Sequence, residues 1–123
     1  MAAAAEVAAA AEVEVKEGII VATYRGEMTL EIVRKAASEI EEKLASSGAV
    51  KILYDTLEME NPALKLALEM KNFDTRIKDK VEKSATVVPG AATALKASIA
   101  FVLSRRHKVF HNDMAAAVAW LKS

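Results

Sequence analysis

The chain has no cysteine. That excludes a disulfide framework, a thiolate zinc site and a cysteine nucleophile. Aromatic residues make up only 5% of it, too few for the stacking platforms that hold single-stranded nucleic acid. Neither sign of charge is in excess, with 17 Lys+Arg against 17 Asp+Glu. No basic field is left to attract nucleic acid or an anionic membrane surface. Long apolar runs are missing too, so no membrane span is expected. The Ala-rich opening carries Glu6 and neither Lys nor Arg, unlike the basic start of an export signal. These absences predict a cytoplasmic protein without a nucleic-acid partner.

What is present can build one domain. The chain has 123 residues, 53% of them hydrophobic and 28% charged, enough for one core and too few for two. Residues 1–11 are expected to be a flexible Ala-rich tail that adds little to stability, and residues 12–123 the domain. The stretch Val50–Pro62 organises the rest. Val50, Ile52, Leu53 and Tyr54 form a nearly unbroken apolar run, as in a strand buried on both faces. The expected strand ends at Asp55. A polar loop then leads to Asn61-Pro62, where an Asn cap followed by Pro starts a helix.

Around this centre the pattern predicts α/β order. Glu12–Lys16 alternates as a half-buried strand. Glu17-Gly18 supplies a turn into a second strand, Ile19–Arg25, making a hairpin. Thr29 caps a helix whose apolar positions are Val33, Ala36, Ala37, Ile40 and Leu44. Lys35–Glu39 and Glu39–Lys43 are expected ion pairs on it, and Gly48 ends it. From Pro62, Leu66, Met70, Phe73, Ile77 and Val81 share a helical face, with a break expected near Asp74-Thr75. Ala85–Val88, a helix over 91–105, a short strand Lys108–His111 and a helix Asp113–Lys122 capped by Asn112 complete the chain. The order is β-β-α-β-α-β-α-β-α, a mostly parallel mixed sheet packed with helices.

That order, with Gly26 and Thr29 at the transition from second strand to first helix, resembles the STAS domain family. The close, Val109-Phe110 followed by Ala119-Trp120-Leu121, is similar to the branch that also resembles lipid-carrier folds. The resemblance covers roughly residues 12 to 122 and implies a single STAS-like domain. It further implies an anti-sigma-factor-antagonist-like module that works by binding. Family members with a phosphoswitch carry an Asp-Ser-Ser-Gly-like stretch at the start of the second helix. Here those positions read Glu60-Asn61-Pro62-Ala63. No hydroxyl is available there, so the switch is not carried over.

Two sets of residues are candidates for contact. The first is the polar loop, with Asp55, Thr56, Glu58, Glu60 and Asn61; its acids suit a cation or, more simply, solvent. The second is a face of the helix over 91–105. Its core arc is Ala92, Leu95, Ile99, Val102 and Leu103, which leaves Phe101 beside the small Ala94, Ala97 and Ser98 as an interface or ligand surface. His107 and His111 are expected to be surface residues. No nucleophile–base pair is visible, so no catalytic residue, metal or cofactor is expected. The expected function is a non-enzymatic regulatory module contacting a protein partner or forming a homodimer. The alternative is a carrier or sensor of a small apolar, lipid-like ligand, suggested by the apolar helix and by Met59 and Met70.

Overall fold

The computed structural model describes residues 9–60, 64–90 and 106–123. The helix expected over 91–105, with Ala94, Ala97, Ser98 and Phe101, lies outside the described residues, as does Asn61. Strands β1 (Ala10–Lys16) and β2 (Ile19–Gly26) are followed by helix α1 (Leu30–Ser47) and strand β3 (Lys51–Met59). Helix α2 (Leu64–Ile77) runs into a short 3-10 turn, Lys78–Lys80. Then come β4 (Lys83–Val88), β5 (His107–His111) and a closing helix α3 (Met114–Lys122). The five strands form one sheet in the order β1-β2-β3-β4-β5. β1 pairs antiparallel with β2, and every later pairing is parallel.

Local chemistry accounts for the boundaries. Glu17 and Gly18 both have positive φ, 51° and 78°. This two-residue turn matches the twist of the flanking strands. A Cβ at Gly18 would meet nothing within 4 Å, so its requirement is conformational. The Thr29 hydroxyl accepts the Ile32 amide at 3.2 Å, and Gly48 closes α1 in the left-handed region at φ 75°. Both ends of α1 therefore follow from the residues that cap it.

The sheet separates two apolar cores. On one face Ile20, Ala22, Tyr24, Ile52 and Tyr54 pack under α1 and α2. On the other, Ile19, Leu53, Ala85 and Val87 pack under α3, which contributes Ala117 and Leu121. β3 and β4 lie between the two and are covered on both sides, as the apolar run at Ile52–Tyr54 suggested.

Several expectations move. β1 begins at Ala10, and Ala11 packs against the α1 core, so this much of the expected tail belongs to the sheet. β3 starts after Val50, which is 41% exposed, and continues four residues past Asp55. α2 does not break at Asp74-Thr75. The Thr75 hydroxyl bonds back to the Lys71 carbonyl, and the Asp74 carboxylate accepts from Ser84 of β4. Both side chains are satisfied without ending the helix. Val81 is buried but lies beyond the 3-10 turn. Asp113 caps α3 by accepting the Ala116 amide, while Asn112 takes φ 49° in the preceding turn. Lys35, Glu39 and Lys43 do not pair. The ion pairs from α1 cross to α2 instead, Arg34–Glu69 at 3.6 Å and Arg76–Glu41 at 2.6 Å.

The β1 boundary yields a direct comparison. Deletion of residues 1–11 removes the pairs Ala10↔Arg25 and Ala11↔Tyr24, whereas deletion of residues 1–8 spares them. The longer deletion is expected to lower the thermal midpoint by about 4 °C relative to the shorter one, equivalent to about 1 kcal/mol. Calorimetry on both variants checks this, and equal midpoints would place β1's first residues outside the stabilising sheet.

Candidate functional site

The residues expected in a loop after Asp55 lie mostly on β3. The β2–β3 register slips between Thr23↔Asp55 and Arg25↔Glu58, so β3 carries one extra residue there. A bulge of this kind re-aims the side chains that follow it. Leu57 packs on the α3 side, yet Met59 enters the α1 core. Glu58 meets Arg25 at 2.7 Å, and Arg25 also reaches Glu12 at 3.3 Å. Asp55 accepts the Leu57 amide at 3.1 Å, and the Glu60 amide donates to the Gly26 carbonyl. Thr56 is 1% exposed and donates its hydroxyl to the Val87 carbonyl at 2.6 Å. Thus Asp55 and Glu58 remain near the surface, while Thr56 serves the sheet interior.

On the α3 side of the sheet lies an open groove of about 390 Å³. Its floor is Ile19, Val21 and Leu53 with Met114 and Val118 of α3. Glu12, Glu14, Glu17 and Asp55 line it against only Lys16 and Arg25. The floor is apolar and the surrounding charge is acidic.

On the opposite side, a smaller cavity of about 170 Å³ sits between α1, α2 and the sheet. Tyr24 and Tyr54 form its aromatic side, their centroids 6.4 Å apart and their planes 30° from parallel. Phe73, Met70, Arg34 and Arg76 complete the part that bears on chemistry. Among the described residues, Tyr54 Oη is a buried side-chain oxygen with no hydrogen-bond partner. Burial, then the proximity of Tyr24 and Asp74, push the Tyr54 phenol well above its ordinary range. It stays a protonated donor.

A buried polar chain connects α2, β4 and β5. Ser84 donates to Asp74 at 3.3 Å and lies 2.7 Å from His107 Nδ1; Thr86 lies 2.9 Å from Nε2. The single Ser84 proton goes to Asp74, so its oxygen accepts from Nδ1–H, and Nε2 accepts from Thr86. All four residues are buried. The expectation of a surface His107 is therefore corrected; His111, four residues on, is exposed. Ser84 and Thr86, two apart on an otherwise apolar strand, were the signal in the sequence. Although the set contains Asp, Ser and His, the serine's proton is committed to the carboxylate and its oxygen is enclosed. It presents no nucleophile. Among the described residues, no three His, Asp or Glu side chains are grouped to hold a metal ion. No described helix is long and apolar enough to cross a membrane.

A family described as SpoIIAA-like matches residues 19–122. The chain belongs to the SpoIIAA-like family. No curated protein matches the sequence. Three solved structures share the SpoIIAA-like fold with it. An uncharacterised protein of Shewanella loihica is 19% identical with a TM-score of 0.67, over 94% of this chain and 93% of that one. An anti-sigma factor antagonist of Mycobacterium paratuberculosis is 13% identical with a TM-score of 0.69, over 96% of each chain. The anti-sigma factor antagonist SpoIIAA in its unphosphorylated form is 11% identical with a TM-score of 0.65, over 93% of this chain and 99% of that one. The STAS resemblance and the α/β single-domain fold are borne out.

Two expected outcomes follow from this geometry. Thr56 is the one hydroxyl between Asp55 and Pro62, and its burial keeps a kinase from it. Phosphopeptide mapping of protein from its native host is expected to find Thr56 unmodified; stoichiometric phosphate there would overturn the expectation that this segment carries no phosphoswitch. The second outcome concerns pH. Burial lowers the pKa of His107 from 6.5 to about 3. Between those values the unfolded chain takes up a proton that the folded imidazole refuses, so stability falls as pH drops from 6.5. Asp74 is raised by burial, with Ser84 and Arg106 pulling it back. Its effect has the opposite sign and offsets part of the loss. Denaturant titrations from pH 7 to pH 4 are expected to show a fall of at most about 1.4 kcal/mol per pH unit. His107→Gln removes most of that slope, and a slope unchanged in the variant would assign it to other groups.

Proposed function

We propose that the protein is a non-enzymatic regulatory binding module of the cytoplasm. It acts by protein contact and does so without the phosphorylatable serine of the family's switch. The observation that carries this reading is the open groove beside α3 in a SpoIIAA-like domain. Its floor of Ile19, Val21, Leu53, Met114 and Val118 is apolar, and its lining acids outnumber its cations. That combination suits a partner segment with an apolar anchor flanked by Lys or Arg. The names of the anti-sigma factor antagonists among its structural neighbours support a regulatory role of this class. The surface around Ala94, Ala97, Ser98 and Phe101 remains a second proposed contact. A further reading, a carrier or sensor of a small ligand, is favoured by the cavity between α1 and α2.

A photo-crosslinking residue at Thr23, on the groove, tests the contact reading in the native host; Glu42, on the exposed side of α1, is the control. An adduct from Thr23 alone, to a protein segment with basic flanks, is expected. An adduct to a second copy would make the groove a homodimer interface and overturn the basic-partner assignment. Equal adducts from both positions, or none from Thr23, would overturn the contact reading.

A further inference from the structure

We propose that the cavity between α1 and α2 binds a small aromatic carboxylate of about the size of benzoate. This rests on the ligand-sensing reading and supplies its chemistry. Size sets the first limit. The cavity measures about 170 Å³, and an engineered apolar cavity of about 150 Å³ accepts one benzene ring. One ring fits, whereas a full acyl lipid does not, so the lipid-like ligand is narrowed to a single-ring body. The walls set the second limit. Tyr24 and Tyr54 from the sheet and Phe73 from α2 surround the space with aromatic surface, which suits a planar apolar ligand in offset or edge-to-face contact.

The charged residues decide the polar end. Arg34 from α1 and Arg76 from α2 line the same cavity. Their side chains are 63% and 61% exposed, and their partners are Glu69 and Glu41. Exposed ion pairs of this kind are weak, so a ligand carboxylate can take the place of a glutamate. The planar guanidinium fork matches a carboxylate. Glu69 also lines the cavity and repels an anion, which makes the arginine contacts necessary for binding.

The test is a methyl NMR titration of the full chain, read at Val33, Ala37 and Met70, with benzoate, toluene and acetate as probes. Benzoate is expected to give saturable shifts at these methyls, with toluene and acetate at least about tenfold weaker. The double variant Arg34→Gln, Arg76→Gln is expected to lower benzoate affinity at least about fivefold with its methyl spectrum otherwise folded. Absence of saturable benzoate shifts would overturn the site. Toluene binding as well as benzoate would reduce it to a plain apolar void, and unchanged affinity in the arginine variant would remove the carboxylate assignment. A protein that ignores benzoate but still crosslinks through Thr23 loses this site and keeps its contact function.

Discussion

Strand β4 is covered on both faces, and the rest of the structure depends on meeting that constraint. From Ser84 to Val88 every side chain is buried. An apolar residue there gains from either core, but a polar one has no water to fall back on. Ser84 and Thr86 are therefore committed to Asp74 and His107. Those bonds tie α2 and β5 to the middle of the sheet. The same requirement explains why Asp74 can sit within α2 without breaking it. Its carboxylate has a partner in the sheet and does not need the helix backbone.

The bulge in β3 meets a second demand of the sheet. With one extra residue between Asp55 and Glu58, the strand can send Leu57 to one core and Met59 to the other. It also sets Glu58 against Arg25, so an acid that would otherwise stand alone at the sheet's end joins a cross-strand cluster with Glu12. The groove beside α3 and the cavity between α1 and α2 lie on opposite faces of the sheet. A partner in one and a small molecule in the other need not compete for the same side chains. β2 and β3 contribute to both, Val21 and Leu53 to the groove and Tyr24 and Tyr54 to the cavity. The sheet is the physical connection between them.

Local signals were legible because their physics is local. Thr29 and Gly48 mark α1 through backbone groups within a few residues. Glu17-Gly18 fixes a two-residue hairpin turn, and the Ile52–Tyr54 run announces a strand without a wet face. Those features, with the alternation of helix and strand, were enough to place the chain among STAS-like domains. Asp55 and Glu58 stand out in the sequence by their charge, and both lie near the surface. Thr56 stands between them in the sequence, yet it is interior, because the end of β3 is set by pairing with β2 rather than by β3's own residues.

What the sequence by itself determined was therefore the order of the described elements and the caps of α1. These depend on periodicity and on hydrogen bonds between near neighbours. The tertiary structure alone decided how far β3 runs, that His107 is enclosed, and that Arg34 and Arg76 share a cavity with Tyr24 and Tyr54. Each of those outcomes joins residues far apart in the chain: Thr56 with Val87, Ser84 with His107, Arg76 with Glu41. No local pattern carries such distances, because the free energy that selects them comes from desolvating two segments against each other.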